Sequence, residues 1–334
     1  MEKLKELGCT TLQQTRLSGR GLGFDDVIAR NGYRWWYLDG FSDDGQTAIT
    51  VILFVGSVFS PYYARARRLG RGDPENFCGA NIILYGPKRH LWSLTERGST
   101  ALSRSASSLR VGPSQCHWHD DRLELEVDEV AVPWPTRLRG KISVALPSLG
   151  SQCFALDEAG QHRWWPLAPS ARISVDFERP NLQWRGNAYV DSNAGVVPLE
   201  HSFEGWHWSR TECKAGQGLI QYNTRPLTGK ACRLQIAFDQ RGGVQLVGSS
   251  SALTLLPKTG IWRVAREAAM PSEARVEALE TLEDTPFYAR SRLSYSVAGD
   301  HQVAMHESLD LRRFKRPWVQ ALLPFRMPRR GGGG

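Results

Sequence analysis

The sequence predicts a mainly β protein of antiparallel strands with few short helices. Alternating or β-branched apolar residues, the pattern of half-buried strands, occur in runs at 34–38, 47–54, 80–85, 123–127, 141–145, 172–177 and 234–238. Turn sequences such as Asp44-Gly45 separate these runs at short intervals, which is typical of β meanders. A helical pattern is confined to residues 61–69 and 271–282, and neither segment alternates with strands as a βαβ unit requires.

The length of the chain predicts two domains. It has 334 residues, of which 41% are hydrophobic and 23% charged, enough to bury two ordinary cores. No period of roughly 20 to 50 residues repeats, which argues against propellers and solenoids. The Gly, Ser and Asn cluster at 191–195, followed by Pro198, is the clearest break in the pattern. We therefore expect an N-terminal β domain of residues 1–200 and a C-terminal β domain of residues 201–330.

Apolar segments of the chain are short. The longest dense run, residues 48–59, is about half the roughly 20 residues that a membrane-spanning helix needs. The first 16 residues contain no apolar stretch before a small-residue cleavage site, as a secretory signal would. The sequence thus predicts a cytoplasmic protein without a transmembrane helix.

Cysteine and histidine spacing predicts no metal site. The six cysteines lie far apart without a C-x-x-C pair, so we expect reduced structural thiols. The segment Cys-His-Trp-His-Asp-Asp at 116–121 contains metal-capable side chains but lacks a third well-spaced ligand, and a hairpin end is the favoured interpretation. There is no P-loop or G-x-S-x-G element, and the glycine-rich stretch at 19–23 lacks the strand and helix of a dinucleotide site. No cofactor is expected.

Basic residues exceed acidic ones, giving a formal net charge of +8. The runs at 65–71 and 312–316 are the densest. A solvated surface is the simplest interpretation. The more specific interpretation is that these residues contact an anionic membrane surface. The C-terminal segment adds apolar side chains for such a contact: Trp318, Leu322, Leu323 and Phe325. Prolines in that segment are expected to interrupt any long amphipathic helix. Nucleic acid is not expected, because no RNP, zinc-finger or helix-turn-helix pattern accompanies the charge.

The segment 161–195 carries the most informative chemistry. On extended strands, alternate residues share a face, so His162 pairs with Trp164 and Tyr189 pairs with Asp191. Two such strands can offer an acid, a water-positioning base and two aromatic surfaces to one cavity. The 12 tryptophans of the chain also suit a hydrophobic pocket. The alternative is ordinary barrel aromatics with Asp191 capping a turn.

Short blocks with a shared family pattern run in order along nearly the whole chain. They are GYRWWY at 32–37, SDDG at 42–45, GSVFSPYYA at 56–64, RGDP at 71–74, LYGP at 84–87, TERG at 95–98, FALD at 154–157, HRW at 162–164, YVDSNAG at 189–195, DTPFYAR at 284–290, HESLD at 306–310 and PWV at 317–319. Together they resemble the acyclic carotenoid 1,2-hydratases of photosynthetic bacteria, also called hydroxyneurosporene synthases.

The resemblance implies two tandem lipocalin-like domains of antiparallel β-barrel or sandwich type. It also implies cofactor-independent hydration of the terminal C1–C2 double bond of neurosporene- or lycopene-type carotenoids to the tertiary 1-hydroxy product. By motif, Asp191 is the acid, with Tyr189, Trp164 and His162 as its functional neighbours. The chain departs from the family pattern at Val196, where an acidic residue is expected, so the adjacent turn is expected to differ.

Hydration of a double bond requires an acid that still carries its proton at neutral pH. An ordinary Asp, with a pKa of about 3.9, is almost fully ionised at pH 7, so burial must keep Asp191 neutral. Protonation of the double bond leaves a tertiary carbocation, which the rings of Trp164 and Tyr189 then stabilise. Either His162 or the carboxylate left on Asp191 handles the proton of the water, and the sequence leaves both open. Rival acids in turn contexts are Asp43, Asp44 and Asp73.

Two other functions remain open from the sequence. One is a cyclase or pericyclase on the same scaffold, acting on another prenyl or polyketide substrate. The other is a non-catalytic carrier of hydrophobic ligands. The expected partners are an acyclic carotenoid, water and the surface of the inner or intracytoplasmic membrane, and the oligomeric state is left open.

Overall fold

Strands dominate the protein. The structure, a computed structural model, describes residues 10–12, 22–146, 149–212, 217–239, 243–247 and 252–330. The strands are β1 Thr10–Leu12, β2 Tyr33–Ser42, β3 Ala48–Val55, β4 Cys78–Tyr85, β5 His90–Arg97, β6 Leu102–Arg104, β7 Ser108–Val111, β8 Ser114–His119, β9 Arg122–Val130, β10 Arg137–Ala145, β11 Cys153–Ala155, β12 His162–Arg179, β13 Leu182–Gly195, β14 Phe203–Glu212, β15 Gly218–Pro226, β16 Arg233–Phe238, β17 Val244–Leu246, β18 Ala252–Leu256, β19 Arg266–Met270, β20 Arg275–Asp284, β21 Tyr288–Val297, β22 Asp300–Asp310 and β23 Arg329–Arg330.

Helices are few and short among the described residues. The α-helices are α1 Pro61–Arg68, α2 Leu199–Ser202, α3 Leu311–Phe314 and α4 Pro317–Arg326. Two 3-10 turns lie at Pro74–Asn76 and Ser99–Ala101. None of the helices in the described part of the chain has the length and hydropathy to cross a membrane.

The chain forms two compact units. One unit, called here the large-sheet unit, contains the described residues within 13–153, 162–198 and 321–334. The other, the small-sheet unit, contains the described residues within 1–12, 154–161 and 199–320. The predicted division into domains 1–200 and 201–330 stays a prediction.

In the large-sheet unit, the strands follow the order β23-β5-β4-β3-β2-β13-β12-β10-β9-β8-β7-β6. All neighbours are antiparallel except β23 and β5. The late strand β13 lies between β2 and β12, so it joins the first long hairpin to the rest of the sheet. Strand β4 is buried along its whole length, which means that both faces of this part of the sheet are covered.

In the small-sheet unit, seven strands follow the order β17-β16-β15-β14-β22-β21-β20, and β18 pairs with β19 as a separate hairpin. A buried apolar cluster contains residues from this hairpin and from the larger sheet: Leu256, Ala268, Met270, Leu293, Tyr295 and Ala304. The two sheets of the unit therefore pack against each other through apolar side chains.

All of the predicted strands are present within β2, β3, β4, β9, β10, β12 and β16 or within one residue of them. The predicted helix at 61–69 is also confirmed, as α1. Ser60 accepts a hydrogen bond from the backbone N–H of Tyr63, and Pro61 opens the helix. These are the N-terminal signals that make a helix begin at this point.

The predicted helix at 271–282 is wrong, because this segment contributes strand β20. Its Glu, Ala and Leu residues have high helix propensity. Pairing with β21 across two bulges overrides that propensity, and Leu282 is buried while most of the charged side chains are exposed. The expectation for the C-terminal segment also needs correction: α4 continues through Pro324 for two further residues.

Cysteine chemistry differs from the prediction at one position. Cys78, Cys116 and Cys153 are buried free thiols, and burial raises the pKa of Cys153 to about 12. Cys232 is disulfide-bonded, so the prediction of a reduced thiol is wrong there; its partner lies outside the described residues. Sequence spacing cannot reveal this, because only the fold decides which cysteines come within bonding range.

The segment 116–121 forms the predicted hairpin end. Strand β8 ends at His119 and β9 begins at Arg122. Asp120 adopts a φ of 51°, a conformation that Asp tolerates better than most residues. The local sequence therefore serves the turn between two strands.

Candidate active site

Trp164, Tyr189 and Asp191 form a buried hydrogen-bonded cluster. The indole Nε1–H of Trp164 and the hydroxyl of Tyr189 both donate to Oδ2 of Asp191, each at 2.9 Å. Trp164 and Tyr189 are fully buried, and Asp191 is 4% exposed. The carboxyl is thus held by two donors and shielded from bulk water, as the expected chemistry requires.

Strand geometry brings the cluster together. Strands β12 and β13 are antiparallel neighbours, in which Trp164 is paired with Asn193 and Pro166 with Asp191. Trp164 is therefore a diagonal neighbour of Asp191, a position from which a long side chain can reach across. Tyr189 precedes Asp191 by two residues and shares its face. The sequence prediction that these side chains share a face agrees with this arrangement.

His162 lies on the same face, two residues before Trp164. It is fully buried, and its Nδ1 is 2.9 Å from the hydroxyl of Tyr33 in a hydrogen bond. Gly195 is paired with His162 across the strands. A Cβ at Gly195 would lie 2.4 Å from Cε1 of Tyr33 and 2.8 Å from Nδ1 of His162. Glycine is needed here because the hydrogen-bonded pair occupies the space of a side chain.

A second buried carboxyl lies on the neighbouring strand β2. The hydroxyl of Tyr37 donates to Oδ2 of Asp39 at 2.9 Å, and Asp39 is fully buried. In the register of β2 and β13, Asp39 is paired with Tyr189 and Tyr37 with Asp191. Sequence reasoning missed Asp39, although a signal was present: Tyr37 and Asp39 repeat the Tyr-x-Asp spacing of Tyr189 and Asp191.

Aromatic rings continue this face of the sheet. The rings of Tyr33 and Trp35 stack with centroids 5.0 Å apart, and Trp35 lies 6.2 Å from Phe54. The rings of Tyr37 and Tyr189 meet edge to face at 6.1 Å. Aromatic rings from three neighbouring strands thus lie on the face of the sheet that carries the two buried carboxyls.

The electrostatics of the cluster define the state of Tyr189. Burial raises the pKa of this phenol well above its ordinary value, and its interactions with Asp191 and Asp39 raise it further. The phenol therefore stays protonated across the physiological range and acts as a hydrogen-bond donor. Both carboxyl groups influence the same hydroxyl.

The opposite face of the strands holds a buried cation. The guanidinium of Arg34 lies 5.2 Å from the ring centroid of Trp36 and 5.0 Å from that of Trp165. It also forms an ion pair with Asp26. Burial lowers the pKa of Arg34, while the charge of Asp26 opposes that change. Trp165 thus packs on the face away from Trp164, as strand alternation predicts.

The rival acids lie in turns. Asp43 is exposed and accepts from Arg172 at 2.7 Å, which lowers its pKa. A hydrogen bond from Ser42 lowers the pKa of Asp44 in the β2–β3 turn. Asp73 caps the 3-10 turn that follows it. The turn assignments are confirmed, and each of the three carboxyls has a local structural role.

The architecture resembles a solved fold. The chain aligns with the crystal structure of a Nitrosomonas europaea protein assigned as AttH, with a TM-score of 0.58 and 13% identity over 90% of this chain and 97% of that one. This likeness defines the fold, which is lipocalin-like and mainly β.

Sequence comparisons give the family. The family model for the carotenoid hydratase CrtC matches residues 51–333. The acyclic carotenoid 1,2-hydratase of Thiocapsa roseopersicina is 45% identical over 94% of this chain and 77% of its own length. That of Rubrivivax gelatinosus is 40% identical over 92% and 76%. The chain belongs to the CrtC family of carotenoid hydratases.

Proposed function

We propose that this chain hydrates the terminal C1–C2 double bond of acyclic carotenoids of the neurosporene and lycopene type. Family membership supports the reaction class, hydro-lyase chemistry, and the buried cluster of Trp164, Tyr189 and Asp191 supports the chemistry. The single observation that carries the proposal is a carboxyl that is 4% exposed with two donors on one oxygen.

Asp191 is the proton donor. At pH 7 an ordinary Asp requires roughly 4 kcal/mol to be protonated, and burial offsets this requirement by disfavouring the charged carboxylate. Trp164 and Tyr189 both donate to Oδ2, so Oδ2 is the acceptor oxygen of the neutral acid. The transferable proton consequently resides on Oδ1, which delivers it to C2 of the polyene end.

The same two donors favour the charge-separated state. When the proton leaves, Asp191 becomes a carboxylate, and its hydrogen bonds from Trp164 and Tyr189 become charge-assisted and stronger. The aromatic faces then stabilise the tertiary cation at C1 by about 2 kcal/mol each when water is excluded. The enzyme therefore binds the transition state of protonation more tightly than it binds the substrate, and this difference makes the reaction faster.

Water completes the addition by attack on C1. His162 is placed on the same face, with its Nδ1 bound to the hydroxyl of Tyr33, and can orient the attacking water. The addition of water changes no net oxidation state, so acid, base and cation-stabilising side chains suffice. We propose on this ground that the enzyme is cofactor-independent.

The enzyme takes its carotenoid substrate from a lipid bilayer by binding to an anionic membrane surface. Helix α4 exposes three large apolar side chains at i, i+4 and i+7 spacing, which places them on one face: Trp318, Leu322 and Phe325, at 47%, 40% and 78% exposure. The basic run at 312–316 directly precedes the helix. An apolar stripe with adjacent cations suits peripheral binding to anionic lipid.

The test is turnover with a defined substrate. Purified protein is incubated with lycopene in detergent and water enriched in heavy oxygen, without added cofactors. We expect a product heavier by one water that carries the solvent oxygen. Binding of lycopene without any product would support the carrier instead. A product of unchanged composition would support a cyclase or isomerase, and either result overturns hydration.

A further inference from the structure

We propose that Asp39 is a second catalytic carboxyl, which accepts the proton of the attacking water and returns it to Asp191. This inference rests on the proposed hydration and extends it. Asp39 is fully buried on strand β2, on the same face as the cluster. The sequence-based mechanism assigned the water proton only to His162 or to Asp191.

The inference rests on two Tyr-x-Asp units that are paired on the antiparallel strands β2 and β13. Tyr37 donates to Asp39 and Tyr189 donates to Asp191, both at 2.9 Å. The strands are antiparallel, so each phenol is paired with the carboxyl of the other unit. The two carboxyls are then diagonal neighbours, with Cα atoms on the order of 7–8 Å apart. The register therefore places two carboxyls on one face of neighbouring strands.

The proposed reaction needs one proton on the two carboxyls. Two ionised carboxylates repel each other in a buried site, and two neutral ones offer no base. The state with a single shared proton contains both an acid and a base at the start of the reaction. Both Asp191 and Asp39 raise the pKa of the Tyr189 phenol, which agrees with the strand register that brings the two carboxyls close to this hydroxyl.

The cycle balances with water as the only co-reactant. Asp191 transfers its proton to C2, and the π electrons of the double bond form the new C–H bond, leaving the cation at C1. The water oxygen then bonds to C1 while one of its O–H bonds breaks toward the Asp39 carboxylate. The proton finally returns from Asp39 to Oδ1 of Asp191, which restores the starting acid and base. The net change is the addition of one water molecule.

The test separates protonation from water capture. The enzyme is incubated with lycopene in deuterated water, and two outcomes are counted: deuterium in recovered lycopene, which reports reversible protonation, and the hydrated product. In Asp39→Asn we expect hydration to fall about 100-fold or more while deuterium still enters recovered lycopene. In Asp191→Asn we expect both to be lost.

The ratio of hydration to deuterium uptake does not depend on the folded fraction, so a destabilised variant remains informative. Tyr37→Phe, which removes one donor to Asp39, should lower this ratio in the same direction. Asp176→Asn, which alters an exposed carboxyl on β12, is the matched control and should leave the ratio unchanged. If Asp39→Asn keeps the wild-type ratio, Asp39 is not the base. If wild-type enzyme yields no hydrated lycopene, the proposed function itself fails.

Discussion

One hydrogen bond of 2.9 Å joins Nε1 of Trp164 to Oδ2 of Asp191, across two neighbouring strands and 27 positions of sequence. The indole is fully buried, so its N–H has no access to bulk water and needs an acceptor within the protein. The carboxyl in turn is oriented by a rigid ring rather than by a flexible chain. The bond therefore fixes the direction in which the other carboxyl oxygen points.

Asp191→Asn should abolish hydration while retaining the bound polyene. The amide keeps the shape of the carboxyl and can still accept from Trp164 and Tyr189, but it provides no acidic proton. We expect kcat to fall about 100-fold to 10,000-fold with little change in lycopene affinity, measured by product analysis and fluorescence quenching. Unchanged turnover in this variant would exclude Asp191 as the acid.

Trp164→Phe should lower kcat and leave KM nearly unchanged. Phe keeps most of the aromatic face but removes the Nε1–H donor, whose bond to a charged acceptor is worth about 1.5–3 kcal/mol. The bond strengthens only as Asp191 becomes charged, so we expect a loss of about 10-fold to 100-fold in kcat. Trp134→Phe, at a site 79% exposed, is the matched control. A rise in KM alone would show that the indole acts only in substrate binding.

Gly195→Ala should reduce both stability and activity. The added Cβ would meet Cε1 of Tyr33 at 2.4 Å, and forced overpacking of this kind costs about 1–3 kcal/mol. We expect a lower midpoint of urea unfolding and a weaker reaction, because the His162 and Tyr33 pair must move. Gly260→Ala has nothing within 4 Å of the added Cβ and should behave as wild type. Equal midpoints for the two variants would contradict the packing argument.

The stability of the small-sheet unit should fall with acid. Burial lowers the pKa of His207 to about 3 and that of His306 to about 4. Below the ordinary value of about 6.5, the unfolded chain binds these protons and the folded chain does not, so stability is lost as pH falls from about 6.5 toward 4. Each ring should cost about 2 kcal/mol of unfolding free energy by pH 5.

Urea unfolding at several pH values measures this loss. Replacing both rings, as His207→Gln with His306→Gln, should flatten the pH dependence between pH 7 and 5. The exposed His117→Gln is the control and should keep the wild-type slope. If the double variant loses stability with acid as steeply as wild type, the buried rings are not responsible.

Membrane binding should depend on the exposed face of α4. Phe325→Asp removes an apolar contact whose burial contributes about 1.5–3 kcal/mol, so co-sedimentation with vesicles containing anionic lipid should weaken by about 10-fold or more. Raising the salt concentration should weaken binding further, because the basic run at 312–316 contributes by charge. Val27→Asp, at an apolar site that is 96% exposed, should bind as wild type. Salt-insensitive binding, or none, would remove the proposed surface.

The sequence predicted most of the elements near the site but not all of their partners. Strands β2, β3 and β12 and the shared face of Tyr189 and Asp191 follow from local apolar patterns, which reflect burial directly. Asp39 was missed because its importance depends on the pairing of β2 with β13, strands about 150 residues apart. The wrong prediction of a helix at 271–282 has the opposite origin. Local helix propensity was strong there, and the pairing of β20 with β21 overrode it.

By itself, the sequence determined the class of the fold, the family and the identity of the four candidate residues, because period-two patterns, turns and ordered blocks are local properties of the chain. Only the tertiary structure decided that Trp164 and Tyr189 converge on one oxygen of Asp191, that His162 is bound to Tyr33, and that a second Tyr-x-Asp unit lies alongside. The physical reason is register: antiparallel strands distant in sequence define which side chains become neighbours, and no local pattern encodes that pairing.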